Sequence, residues 1–422
     1  MAEWGCERGL RPTHSVAPVI QAPRLTSRVI RVTAVMCALF AAYGLVMPYL
    51  ARWLEAERHL DGAQIGAVLS ISQLTRIVVG PLIAFWADGA SDRRLPIRVL
   101  AAAAVVFFAC FFFLAHDFPT LLAFGFLALT CSQGLSPFVE GAVLRATDES
   151  KTPYGLVRGV GSAAFILASI AGGAAMARFG PGAILMWILG AYIMIAVTAW
   201  GGLRRDPAPI ESHGAPPRAR LAAALALFKR RRFVVLILAC GLIQSAHGFY
   251  YGFSTLVWRG QGISAETIGL LWGFGTGVEV VFLWSLPLIE RRLAPEALIL
   301  VGASGSALRW LILGLAPVGL VLWPTQGLHA LSFASAHVGA MRLLYRETPQ
   351  ANAGLAQTLY AALASGLLMG VATLISGMLY DAVGVRGYWA MAGVAVAGGA
   401  LALLLVLNKT PTGTRLAGEH RP

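Results

Sequence analysis

Residues 99–115 read VLAAAAVVFFACFFFLA, seventeen positions without a charge, an amide or a proline. As a helix rising about 1.5 Å per residue, this run covers most of a hydrocarbon core about 30 Å thick. A membrane barrel would instead need segments of about ten residues that alternate apolar and polar side chains, and no alternation is present. Comparable runs recur along the 422-residue chain, in which apolar types make up 57% and charged types only 13%. The solvent for most of these side chains is therefore lipid.

The runs predict an all-α integral membrane protein of about twelve helices, at 32–53, 65–87, 99–115, 121–144, 156–177 and 183–202, then 233–257, 268–289, 298–316, 318–344, 355–379 and 387–407. This divides the chain into a tail at 1–30, a six-helix bundle at 31–203, a linker at 204–232, a second six-helix bundle at 233–408 and a tail at 409–422. The linker carries Pro207, Pro209, Pro216 and Pro217 and reads as flexible. An internal repeat supports the division: Asp61-Gly62-Ala63-Gln64-Ile65-Gly66 aligns with Ser264-Ala265-Glu266-Thr267-Ile268-Gly269, and each opens the second helix of its half. The same offset sets Arg76 opposite Glu279, two opposite charges at equivalent mid-helix positions.

A net charge of +13 raises the question of nucleic acid, and the placement of the charges answers it. Twenty-six basic residues fall in the two tails and the even-numbered loops, including Arg8, Arg11, Arg24, Lys409, Arg415 and Arg421 in the tails. Only Arg52, Arg58, Arg178, Arg259 and Arg386 fall on the other side. Positive residues stay inside, so both termini are expected in the cytoplasm and the protein in the inner membrane, with no nucleic-acid partner. The first thirty residues lack a signal peptide's apolar core and cleavage site, so the first helix is expected to stay as an anchor. Cys6, Cys37, Cys110, Cys131 and Cys240 have no paired spacing and read as packing residues, with no metal site.

An ionisable side chain at mid-bilayer costs at least about 2.5 to 3.5 kcal/mol and needs a partner or a watery cavity. Glu279 on helix eight, Arg309 on helix nine and His329 on helix ten stand at equal depth and form the candidate proton-coupling group; His337, two turns on, reads as packing. A carboxylate beside an arginine can exchange its charge partner. A substrate anion that takes over the arginine favours a proton on the carboxylate, so the two ligands support each other's binding. Helix seven adds a candidate substrate wall in GLIQSAHGFYYGFS, with His247, Tyr250 and Tyr251. Arg76 and Arg309 are candidate anion contacts, and Glu140 with Arg158 stands nearer the ends of helices four and five. No pairing of nucleophile and base, no metal-ligand spacing and no nucleotide loop is present, and the outer loops are short, which argues against an enzyme or a receptor.

The stretch GPLIAFWADGASDRR, with Gly80, Asp88, Arg93 and Arg94, resembles the loop signature of the major facilitator superfamily, in which it holds the cytoplasmic gate. Gly89-Ala90-Ser91 stands where that signature commonly has an arginine after the aspartate, which rearranges the latch. SAHGFYYGFS, GTGVEVVF, the Arg309-Trp310 pair and GLHALSFASAHVGAMR together resemble the phenylpropionate permease family of proton-linked aromatic acid carriers. More distantly, Glu140 and the run YGLVRGVG around Arg158 resemble the oligosaccharide permeases, including the lactose permease, where such residues hold sugar hydroxyls. Ser332 stands where the lactose permease has its essential helix-ten carboxylate, so that mechanism does not transfer whole. The resemblance implies a monomeric proton symporter for a small organic substrate, most of all an aromatic carboxylate, with no cofactor beyond the proton gradient. The alternatives are a sugar or nucleoside permease and, less favoured because helix five lacks the antiporter run G-P-x-x-G-G, an efflux antiporter.

Overall fold

The computed structural model describes residues 26–207 and 217–407, and these are helical apart from short connections and one isolated bridge between Asp92 and Pro207. Arg8, Arg11, Arg24, Lys409, Arg415, Arg421 and Cys6 lie outside the described residues. Nine helical stretches among the described residues are long and apolar enough to cross a membrane, ten when Gly62–Leu74 and Arg76–Asp88, bent by 45°, count as one. One of these, Ala353–Leu407, has 55 residues, or about 80 Å of helix, more than twice a bilayer core. It divides at the turn Gly384–Arg386, where Gly384 takes a φ of 58° that an L side chain rarely adopts. The interrupted segment 322–347 adds the twelfth crossing.

In chain order, helix one is Ser27–Arg58, two 62–88, three Arg94–Phe113, four Phe118–Ser150, five Tyr154–Phe179 and six Ala183–Gly202. Helix seven is Arg231–Gly260, eight Ala265–Glu290, nine Pro295–Leu313, ten 322–347, eleven 353–383 and twelve Gly387–Leu407. The interval expected to be a flexible linker instead holds a helix, Pro217–Phe228. Its alanines and leucines favour helix, and Pro217 sits at the first position, where a missing N–H costs nothing.

The repeat seen in the sequence is a pair of equivalent helix starts. The Asp61 carboxylate accepts from Gln64 N at 2.8 Å and the Gln64 side chain returns a bond to Asp61 N, while the Ser264 hydroxyl accepts from Thr267 N at 3.2 Å. Both starts lie on the face opposite the ends of the described chain, here called the distal face, and there the two halves press together. Asp381 of helix eleven accepts from Gly62 N and Ala63 N of helix two, each at 2.8 Å, so a carboxylate from one half closes the positive end of a helix in the other. A Cβ at Gly269 of helix eight would stand 2.5 Å from the Ser169 carbonyl oxygen of helix five, so only glycine permits this approach.

Toward the opposite, terminal face the halves separate. A cavity of about 540 Å³ runs beside helices two, four and eleven, lined by Ser72, Arg76, Asp88, Gln133 and Thr358 among others. None of the residues of Arg76–Asp88 is buried. The two halves thus press together on the distal side, and the cavity lies beside helix two.

Candidate functional site

Four helices lose regular geometry near mid-depth, and the candidate residues gather there. Helix two breaks at Thr75, whose hydroxyl bonds the Ile71 carbonyl at 2.8 Å, and Pro81 further on has no N–H to offer Ile77. Helix seven turns at Ala246-His247 between Arg231–Ser245 and Gly248–Gly260. Helices ten and eleven widen into π turns at Ala330–Ser335 and Ala361–Leu368. Such wide turns displace side chains from the regular register and are frequent at functional sites.

Arg309 lies at the centre of the group on helices seven to ten and is fully buried. Its Nη2 donates to Gln326 Oε1 at 2.9 Å, and its Nη1 stands 2.9 Å from His329 Nδ1 and 3.4 Å from Ser332 Oγ. The guanidinium carbon sits 4.3 Å from the Tyr250 ring centre and 4.8 Å from that of Trp310, so two aromatic faces also hold the charge. Tyr250 donates its hydroxyl to the same Gln326 oxygen at 2.8 Å.

These contacts assign protons. A guanidinium only donates, so His329 Nδ1 accepts and the ring's own proton rests on Nε2, which faces Glu279 Oε2 at 3.3 Å. His247 has the other tautomer, because its Nδ1 meets the Gln244 carbonyl at 3.1 Å, which leaves Nε2 to accept from the Ser332 hydroxyl at 3.2 Å. The structure therefore joins Glu279, His329 and Arg309 in a line, with the histidine between the two charges rather than a direct carboxylate–guanidinium pair. The line runs from an accessible end to a sealed one: the Glu279 side chain is 22% exposed, and Arg309 is 0% exposed. Gln326 Nε2 and Arg309 Nε remain buried without a partner among the described residues.

Tyr251 stacks on His247 with ring centres 5.6 Å apart, and Phe333 lies between the rings of His329 and His337. Sequence reasoning missed Gln326 and the packing role of Tyr388, which stacks on Trp310 with centres 5.8 Å apart. Gln326 had a signal, an amide one turn before His329 in an apolar helix. Tyr388 had none.

The remaining candidates lie elsewhere. Arg76 lines the cavity and makes no hydrogen bond or ion pair among the described residues. Glu140 accepts from the Tyr154 hydroxyl, whereas Arg158 lies over the Phe40 ring at 4.2 Å and its Nη1 is buried without a partner. In the gate segment Asp88 is exposed and unpaired among the described residues, and Gly80 lines the cavity. The neighbouring Asp92 instead makes the contacts, with Arg94 Nε at 2.6 Å and the N–H groups of Arg94 and Asp206 at 3.0 and 3.2 Å. Burial would push its carboxyl up, but those backbone N–H groups and the Arg94 guanidinium together hold it below the usual range. This tie is therefore complete above the ordinary carboxylate pKa and is lost as pH falls through the lowered one. Arg93 joins through its backbone N–H to the Asp206 carbonyl at 2.9 Å.

Residues 29–391 match the model of the MFS_1 like family. The chain belongs to this major facilitator family of membrane transporters. A relative from Escherichia coli K12 described as "Probable 3-phenylpropionic acid transporter" is 30% identical over 85% of this chain and 92% of its own length. The maltose permease of Geobacillus stearothermophilus is 26% identical over 91% and 94%. Among solved structures the nucleoside transporter NupG superposes with a TM-score of 0.77 at 13% identity, covering 91% of this chain and all of that one, which speaks for the fold alone.

Proposed function

We propose that this transporter takes up a small organic acid with an aromatic or otherwise apolar body, in symport with a proton, across the inner membrane. It works as a monomer with both termini in the cytoplasm and alternates access by rocking one half against the other. The observation that carries the reading is the line Glu279–His329–Arg309. It sets a reachable carboxylate at the end of a neutral bridge to a fixed positive charge, the arrangement a proton site needs when its charge must be balanced in both states.

Arg76 is the anion contact in this reading. Arg309 already donates to three neighbours and is sealed, whereas Arg76 lies unpaired beside a cavity of ligand size at the break of helix two. Its substitution Arg76→Gln is expected to raise KM for carboxylate substrates roughly ten- to hundredfold, the loss of one charge-assisted hydrogen bond, with normal amounts of protein in the membrane. An unchanged KM in uptake assays would remove Arg76 from the site.

A sugar is the second reading, supported by the maltose permease relative and by Glu140 with its tyrosine partner. Transport electrics in proteoliposomes separate the two. One proton with a monoanion moves no net charge, whereas one proton with a neutral sugar gains about 2.3 kcal/mol per 100 mV. Carboxylate uptake that follows an imposed pH gradient and ignores an imposed potential is the expected result; potential-driven uptake of sugars alone overturns it.

A further inference from the structure

At the terminal face, between the starts of helices one and three and the end of helix six, lies a cleft of about 230 Å³ walled by arginine. Arg28 and Arg145 share Asp206, each at 3.2 Å. Arg31, Arg93, Arg204 and Arg205 line the same cleft and make no ion pair among the described residues. Gathering four guanidinium groups without an ion-pair partner among the described residues in one concavity costs repulsion that an anion would relieve, and planar guanidinium donors match phosphate oxygens in pairs.

The surroundings indicate where that anion comes from. Ile30, Leu95 and Trp200, on the same three helices, are 56%, 41% and 53% exposed, so the helix ends that wall the cleft also carry exposed apolar side chains, a tryptophan among them. The Arg98 guanidinium stacks on the Trp200 ring at 5.2 Å and donates to the Ala199 and Trp200 carbonyls at 3.0 and 2.7 Å, which fixes the end of helix six against helix three. The volume suits a headgroup better than a drug-sized ligand. We infer that this cleft is a binding site for the phosphodiester headgroup of an anionic membrane lipid, whose chains lie along Ile30, Leu95 and Trp200.

The test uses delipidated full-length protein, with thermal unfolding followed during titration with dioctanoyl phosphatidylglycerol, dioctanoyl phosphatidylcholine or sodium phosphate. Phosphatidylglycerol alone is expected to raise the midpoint. The triple variant Arg31→Gln/Arg93→Gln/Arg205→Gln should weaken that response roughly a hundredfold in lipid concentration, about fivefold per charge, while Arg291→Gln/Arg292→Gln at an exposed loop should respond like the wild type. A response to phosphate equal to that to phosphatidylglycerol makes the cleft a soluble-anion site and overturns the lipid assignment. Equal responses to the two lipids, or from the triple variant and the wild type, overturn it as well. Should the triple variant fail to fold, Arg31→Gln and Arg205→Gln are each expected to show the fivefold loss, and an unchanged response in both counts against the site.

Discussion

Glu279→Gln is expected to abolish uphill accumulation while exchange of labelled for unlabelled substrate continues. Glutamine keeps the length and the acceptor oxygen that faces His329 Nε2 at 3.3 Å, and removes only titration. A carrier that cannot release its proton equivalent can still bind, rock and return loaded, so exchange survives where net transport does not. The neighbouring histidine supplies the contrast. In His329→Gln, the amide oxygen can accept from Arg309 and the amide nitrogen donate to Glu279, which reproduces both bonds of the bridging ring without a titratable group. Because His329 Nδ1 is occupied by a donor that never releases a proton, we expect this variant to retain most accumulation. Accumulation by Glu279→Gln at near wild-type levels, measured as steady-state uptake under an imposed pH gradient, would remove the carboxylate from the mechanism. Its loss in His329→Gln, with Glu279 intact, would move the proton pathway onto the histidine.

The fold was legible because a bilayer imposes one rule on every segment: apolar runs about 20 residues long must satisfy their backbone internally. The caps at Asp61 and Ser264 were readable too, since residue type and spacing determine them. The breaks were not. Helix two at Thr75 and helix ten at Ala330–Ser335 carry no proline or glycine at the break, and whether a helix continues there depends on side-chain back-bonds and on packing against another helix. Equal depth brought Glu279, Arg309 and His329 together correctly, but depth says nothing about rotation around a helix axis. The order in which they touch, with the histidine in the middle, is set by that rotation. The gate segment shows the same limit. The resemblance singled out Asp88, and the structure shows in addition that Asp92, four residues on, reaches Arg94 and Asp206 past the bend between them.

Arg309→Gln is expected to do more damage than either change above, lowering exchange and accumulation together and reducing the protein recovered in the membrane. The guanidinium donates to Gln326, His329 and Ser332 and lies against two aromatic faces, so its removal takes a donor from three buried groups and leaves His329 Nδ1 without one. Leaving a buried polar group unsatisfied costs about 1 to 3 kcal/mol, a large share of a typical domain's stability. It also frees the His329 ring to adopt either tautomer and leaves Gln326 Oε1 with the Tyr250 hydroxyl as its one donor, and the remaining protein loses the fixed charge that balances Glu279. Arg309→Lys restores the charge but not the forked donors or the flat stacking surface, and is expected to recover folding more than coupling. A purely structural role makes a different forecast. If Arg309 and Glu279 only neutralise each other, the double change to glutamine should restore much of the transport lost in Arg309→Gln. If the pair couples proton to substrate, the double variant should keep the accumulation defect of Glu279→Gln, whatever it regains in stability. Measuring thermal midpoint, exchange and accumulation on the same preparations distinguishes the two, since only the coupling role separates the last two quantities.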